Sequence, residues 1–500
     1  MTSRLLIALA ALLGAALLAS STATASPAQE SLLADDTLLL NGDHATRERA
    51  LDDMVALGVD VVRVNVFWNR LAPSPTGRRR PSGFDATNPA EYRVEQWDAY
   101  DDTVRAAVAK GLDVLLTPTS PLPRWASECR SGSKKALLAC KPKVDEFRDF
   151  VRAVGRRYAG DHVDENQGNL VLPRVNRWSI WNEPNQPGWL YPQQERRRGR
   201  TLAFAAHRYR GLAEAGIASL RATGHRRDQI LLGETAPLGR EHPSPAQRAL
   251  APLTFLREML CIDARGRRLR GSAAGSRGCR SLRRLAVTGY AHHPYTRGAG
   301  GSPFDPTPST WSTIRSIGRL TKVLDQAGRA GRVPRGLPVH FTEYGFQTNP
   351  PDRISGVRPA KQALWLNWSD FTAYKNRRVR TVSQYLLNDD AAVSGFNTGL
   401  RFANGRHKPA WNAYRLPIYV VRAGAGARVY GQARAATGRV EVQIQWRARN
   451  RGAWRTLVTQ RTSRTGHFLR RVRPRTGQFR LRLETPAGAQ ISRTAVVGPA

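Results

Sequence analysis

The chain has 500 residues, too many for one small core and about right for a large α/β unit followed by a smaller domain. Its formal net charge is +39, from 78 Lys and Arg against 39 Asp and Glu. The arginines are spread from Arg47 to Arg493 instead of gathering on one motif. A general preference for arginine therefore accounts for them better than a specific nucleic-acid groove, and only salt-sensitive attraction to anionic surfaces such as cell-wall polymers is expected.

At the start, Arg4 precedes an apolar run from Leu5 to Ala19, and Ala23-Thr24-Ala25 supplies small residues. Residues 1–25 thus have the layout of a secretory signal peptide cut after Ala25. The run is short for a span and none like it recurs, so an exported, secreted protein without a membrane span is expected. Four cysteines suit that compartment. Cys129 and Cys140 enclose a short basic loop, and Cys261 and Cys279 enclose a Gly/Arg-rich excursion. Of the three possible pairings the sequence-local one is expected. No histidine stands at ligand spacing beside either pair, so neither a metal nor a cofactor is expected.

Ser31 to Leu40 carries a weak strand signal, and an apolar beat at Ala50, Leu51, Met54 and Val55 predicts a helix from Thr46 to Leu57, stopped by Gly58. Asp60 to Trp68 is a β-branched strand interrupted by Arg63, a charge that must be paired if buried. A helix is predicted over 96–110, a strand over 111–119 with Trp125 at its exit, and a helix over 147–158. Further strands are predicted at Val175–Trp181, at Q-I-L-L-G-E-T-A with Glu234, at L-A-V-T-G-Y before A-H-H-P-Y, at Val339–Glu343, and at V-R-T-V-S-Q-Y-L-L. Helices are expected over 202–220 and 360–374. Beyond Pro409 short alternating runs with Gly-rich turns predict a small all-β sandwich. Its aromatics Trp446, Trp454, Phe468 and Phe479 read either as core or as a glycan platform.

The most informative stretch is Arg177 to Trp189, R-W-S-I-W-N-E-P-N-Q-P-G-W. A buried strand there opens into a carboxylate, Glu183, flanked by amides, prolines and aromatics, Trp189 among them. Aromatic rings offer flat apolar area to the C–H face of a sugar and raise a nearby acid's pKa. A second strand of the same design, L-P-V-H-F-T-E-Y-G-F, puts Glu343 in the matching place. Two carboxyls with separated pKa values supply the proton and the electron-rich partner that glycoside cleavage needs. No G-x-S-x-G elbow supports a Ser/His/Asp hydrolase instead.

W-N-E-P-N and F-T-E-Y-G resemble the acid/base and nucleophile strands of the clan A retaining glycoside hydrolases, in particular the cellulase-like families 5 and 39. The resemblance covers roughly residues 30 to 415. It implies a (β/α)8 TIM barrel over 26–412, with the sandwich over 413–500, Glu183 as acid/base after strand 4 and Glu343 as nucleophile after strand 7. It further implies that Arg63 lies beside the nucleophile, that Asn182 binds the hydroxyl next to the anomeric carbon, and that His293 (or His292) and Tyr295 line the same site, with Tyr295 donating to the nucleophile. The chain departs from the clan in lacking a tryptophan after strand 8. Glu234 reads equally as a sugar ligand or as the partner of an arginine. The expected partner is a β-linked oligo- or polysaccharide, acted on by a monomer. The alternative is a secreted glycan-binding protein on an inactive barrel.

Overall fold

The computed structural model describes residues 28–499 apart from 133–136, 169, 198, 242–247, 298–299, 393–394, 449 and 451. The expected leader, residues 1–25, lies outside the described residues. Eight parallel strands form a closed barrel: β1 Glu30–Ala34, β2 Val61–Phe67, β3 Asp113–Thr119, β4 Arg177–Ser179, β5 Gln229–Thr235, β6 Gly289–His292, β7 Val339–Phe341 and β8 Val379–Tyr385. β8 closes on β1 from Glu30↔Thr381 to Ala34↔Tyr385. A helix follows each strand: α1 His44–Leu57, α2 Val94–Ala109, α3 Val144–Arg157, α4 Phe204–Ala222, α5 Pro252–Met259, α6 Ile317–Arg329, α7 Pro359–Tyr374 and α8 Pro409–Arg415.

Alternation along β2 shows how this architecture is encoded. Val62, Val64 and Val66 point outward into the shell formed with the helices, beside Leu51, Trp97 and Phe150. Val61 points inward, where Leu32, Leu115, Leu231 and Ala291 join it in a separate apolar layer inside the barrel. Each Val and Leu of that layer contributes about 1.5–3 kcal/mol on burial. Arg63 and Asn65 share the inward side with Val61, one and two layers higher. At the opposite end of the barrel Arg177 binds Glu30 (2.7 Å) and Asp113 (2.5 Å). The barrel-bottom ion pair is therefore Arg177's, and Arg63 is free for another role.

Several sequence expectations shift. The strand expected at L-A-V-T-G-Y begins only at Gly289; Leu285 and Val287 are buried instead in the outer shell. Helix α6 was not anticipated, although Ile317, Leu320, Val323, Leu324 and Ala327 supply its buried stripe. Trp125 is not at the rim but in the core, edge-on to Trp68 at 6.1 Å. Both sequence-local disulfides are present, Cys129–Cys140 and Cys261–Cys279. Among the described residues no helix is long and apolar enough to cross a membrane.

After α8 come β9 Ile418–Ala423, β10 Gly426–Gln432, β11 Glu441–Arg447, β12 Arg455–Arg461, β13 His467–Val472, β14 Gln478–Thr485, β15 Gly488–Ile491 and β16 Val497–Gly498. They make two four-stranded sheets, β13-β10-β9-β16 and β12-β11-β14-β15. The two sheets contribute to one apolar cluster that includes Val420, Val429, Ile444, Phe468, Phe479 and Leu481. Phe468 and Phe479 are thus core, and Trp446 packs against them. The first sheet also packs on α7, with Phe371 stacked on Tyr419 (5.5 Å) and Tyr374 on His467 (5.3 Å). Gly58, which ends α1 at φ 77°, lies against this junction. A Cβ there would sit 2.4 Å from the backbone of Arg434 and Ala435. Gly58→Ala is expected to lower stability to urea by at least about 1–2 kcal/mol, because the left-handed conformation and the contact both resist a side chain.

Candidate active site

Because the barrel strands are parallel, their C-terminal ends share one face, and the polar residues at those ends meet there. Arg63 is at the centre, with its side chain 1% exposed. It donates from Nε to Glu234 Oε1 (3.0 Å) and from Nη2 to Glu234 Oε2 (2.5 Å). It also donates to Glu343 Oε1 (3.0 Å), Asn182 Oδ1 (2.7 Å) and Asn65 Oδ1 (3.1 Å). One guanidinium therefore fixes side chains from β2 and from the exits of β4, β5 and β7.

His293, fully buried after β6, faces the two glutamates from the other side. Its Nδ1 donates to Glu183 Oε1 (2.9 Å) and lies 3.5 Å from Glu343 Oε2. Tyr295 donates from its hydroxyl to Glu343 Oε2 (3.3 Å). One oxygen each of Glu183 and Glu343, with a ring nitrogen of His293, all lie within 4.8 Å of one another, a grouping that could also hold a cation. Glu183 and Glu343 keep some side-chain exposure, 17% and 11%, whereas Glu234 has none.

The local backbone explains the W-N-E-P-N motif residue by residue. Trp181 (φ 71°) and Glu183 (φ 37°) are left-handed, as is Glu234 (φ 54°), and such strain is held only where surroundings over-determine it. Trp181 is buried, edge-on to Phe147 at 5.1 Å, and its indole donates to the Trp189 carbonyl (3.2 Å). Asn182 donates its backbone N–H to Thr119 Oγ1 (3.0 Å). Asn185 clamps the loop to the β5 exit, accepting from the Ala236 N–H (2.8 Å) and donating to the Ala236 and Leu250 carbonyls. Glu183 itself donates its N–H to the Glu234 carbonyl (3.0 Å). Only Asn182 and Glu183 of the motif are left for the pocket.

The structure brings together Arg63, Asn182, Glu183, Glu234, His293, Tyr295 and Glu343. Glu234 is fully buried and bound to Arg63, with Thr117 Oγ1 also at 3.3 Å, so the reading of it as the partner of an arginine has these contacts behind it. His292 is structural. Its Nε2 donates to the Ser312 carbonyl (2.7 Å), its Nδ1 accepts from Thr235 Oγ1 (2.9 Å), and burial pulls its pKa down to about 3. Trp189 is half-buried, and its described hydrogen bonds run through its backbone, so it does not join the cluster by any of them.

Four residues were missed. Asp36, half-buried after β1, accepts from the Asn65 N–H (3.1 Å) and Nδ2 (2.8 Å), which ties it through Asn65 to Arg63. At the β8 exit, where a tryptophan was lacking, Tyr385 stands edge-on to the half-exposed Phe396 at 5.3 Å. The position of Asp36 and Tyr385 just after strands was the only sequence signal available.

Burial lifts the Glu343 carboxyl above its ordinary range against the pull of His293 and Arg63, while the charges of Glu183 and Glu234 add to the rise. Burial opposes the charged form of His293, but Glu343, Glu183 and Glu234 together outweigh it and raise its pKa. Substituting Glu234→Gln removes one acid from a buried pair and leaves Arg63 with Glu343 as its only carboxylate. A loss of about 3 kcal/mol in urea unfolding is expected.

No family model matches the chain, and no curated protein matches it. Among solved structures, one similar chain is a family 39 glycoside hydrolase from the gut symbiont Bacteroides cellulosilyticus WH2, at 13% identity and TM-score 0.48, over 90% of this chain and 82% of that one. Another is a GH5_18 protein from Streptomyces cattleya in complex with GlcNAc, at 16% identity and TM-score 0.49, over 78% and 79%. A third is a β-glucosidase from Thermotoga maritima in complex with castanospermine, at 15% identity and TM-score 0.46, over 76% and 93%. At these identities and TM-scores none of them transfers a residue role or a substrate to this chain.

Proposed function

We propose that the chain is a retaining glycoside hydrolase that cleaves a β-linked oligo- or polysaccharide by double displacement. The observation that carries the reading is the Glu183–Glu343 pair, partly open at the barrel's C-terminal face with carboxylate oxygens within 4.8 Å of each other. That separation suits a nucleophile and an acid acting on one anomeric carbon; inverting pairs stand about 6.5–9.5 Å apart to admit a water.

In this reading Glu343 attacks the anomeric carbon as Glu183 gives its proton to the departing oxygen. Glu183 then takes a proton from the water that releases the sugar from Glu343. Arg63 and Tyr295 each bond one oxygen of Glu343, which orients the carboxylate and supports its ionised form. Asn182 commits its Oδ1 to Arg63, so its amide N–H groups are left to bond the hydroxyl beside the reacting carbon. The roles follow from position, since Glu343 is the one held by Arg63 and Tyr295. Export of the chain, expected from residues 1–25, belongs to the same proposal and is supported by the two disulfides. So does a sandwich arrangement of the two C-terminal sheets, supported by their common apolar cluster.

The test uses activated aryl glycosides. Glu343→Ala is expected to abolish turnover, with azide restoring it and giving a glycosyl azide of inverted configuration. Glu183→Ala should scarcely slow the first step for a leaving group that needs no proton and should accumulate the covalent intermediate, with azide giving a retained product. The first-formed anomer from the unsubstituted protein, followed by proton NMR, should keep the starting configuration. No turnover of any aryl glycoside by the unsubstituted protein would leave a glycan-binding protein as the better reading, and turnover that survives both substitutions would mean that the wrong pair was chosen.

The pH profile is a second test. Because the Glu343 carboxyl is raised in the folded site, it gains its proton at a higher pH than an ordinary glutamate does. The acid limb of kcat/KM is therefore expected above the usual carboxylate range. In Glu234→Gln the charge that contributes to this rise is gone, and the limb should move to lower pH.

A further inference from the structure

The basic charge of the chain is not distributed as its pairing is. Residues 418–499 hold seventeen arginines, no lysine and two acids, Glu441 and Glu484. In the barrel many arginines meet a carboxylate, such as Arg105 with Asp164, Arg157 with Asp101 and Arg208 with Glu128. Among the described residues of the two sheets, only Arg434 (with Asp370 of α7) and Arg482 (with Glu484) do so. A general preference for arginine explains the number but not this local lack of partners.

The unpaired guanidiniums have a definite place. In the sheet β12-β11-β14-β15, Val442 and Ile444 of β11 and Phe479, Leu481 and Leu483 of β14 point into the apolar cluster. Alternation puts Gln443, Gln445 and Arg447, with Gln478, Arg480 and Arg482, on the other face, in the register Gln445↔Arg480 and Arg447↔Gln478. The first sheet is the one whose aromatics meet α7, so this second sheet turns its polar face outward. Arg480 donates from Nε to Gln445 Oε1 (2.8 Å) and Arg447 from Nε to Gln478 Oε1 (2.7 Å). Each guanidinium is thereby held by its Nε edge, with its outer nitrogens unbonded among the described residues. Both also lie over the Trp454 ring, at 4.5 and 4.3 Å.

We propose that this outward face of β11 and β14 is a docking surface for an anionic polysaccharide. Oriented, carboxylate-free guanidiniums take the carboxylates of such a chain, and Gln443 and Thr456, which the buried Gln445 holds in place, bond its hydroxyls. A single-stranded nucleic acid fits less well: base stacking needs an open aromatic face, and guanidiniums lie over the ring of Trp454. The charges of Arg447 and Arg482, after the effect of burial, already disfavour the charged form of Arg480, a repulsion that a bound anion relieves. This surface does not depend on the barrel's being a hydrolase.

The full chain is to be titrated with polygalacturonate, with poly(dT) and with neutral dextran, at about 50 and 200 mM salt. Polygalacturonate should bind most tightly, and more weakly at the higher salt. Arg447→Gln with Arg480→Gln should weaken it about tenfold and flatten its salt dependence. The charge-matched control, Arg226→Gln with Arg227→Gln on the barrel surface, should change it less than about twofold. Trp454→Ala, which lies outside the apolar cluster, should also weaken binding with the thermal unfolding midpoint unchanged. Equal loss in the two double variants, tighter binding of poly(dT), or no binding of polygalacturonate would each overturn the proposal.

Discussion

A buried guanidinium is costly to take out of water, and at the centre of this barrel that cost is met by the carboxylates and amides around Arg63. The planar fork of Arg63 reaches four strands' worth of side chains at once, so moving any one of them disturbs the others. Glu234 takes two of the fork's hydrogen bonds and has no solvent exposure, which leaves Glu343 to accept one and to keep its second oxygen for Tyr295 and the pocket. A lysine in the same place would offer charge without this geometry, because its single nitrogen with three donors cannot address five acceptor oxygens on four side chains. The arrangement of the candidate site is therefore set from inside the barrel, by an element the substrate would never need to touch.

Opposite this cation stands His293, whose pKa is raised, against the effect of burial, by the acids around it. Burial alone would leave its imidazole neutral, as it does for His292 one residue earlier, where the neighbours are a hydroxyl and a carbonyl. Two adjacent histidines on one strand exit thus have pKa values shifted in opposite directions, because alternation turns one toward Thr235 and the other toward Glu183 and Glu343. At Glu343, in turn, burial outweighs the positive charges of His293 and Arg63 beside it.

What could be read from the sequence followed from how local its cause was. β2 announced itself by a run of β-branched residues, and the charge interrupting it pointed to a buried pairing. Glu183 and Glu343 stood out because each ends an apolar strand. The partition of the aromatics was not legible, since Trp125 and Trp181 look alike in sequence to a ring lining a pocket, and only packing against Trp68 and Phe147 makes them core. Asp36 was hidden for the same reason: its meaning comes from Asn65, twenty-nine residues away on the neighbouring strand. The sign of the Glu343 shift was likewise out of reach, because it is a sum over groups contributed by four separate strands.

The junction between barrel and sheets has a consequence for how far apart two bound ligands would be. Only Leu416 and Pro417 separate α8 from β9, and the contacts of Phe371, Tyr374 and Asn367 with the first sheet leave no slack chain there. A flexible linker lets a tethered unit search a volume that grows with its length. Here the reach of one unit relative to the other is set by packed side chains instead. A polymer gripped on the outer sheet would present to the open end of the barrel only those of its segments that lie at one fixed span along its contour, so the stiffness and spacing of the polymer, more than its local concentration, would decide which bond arrives.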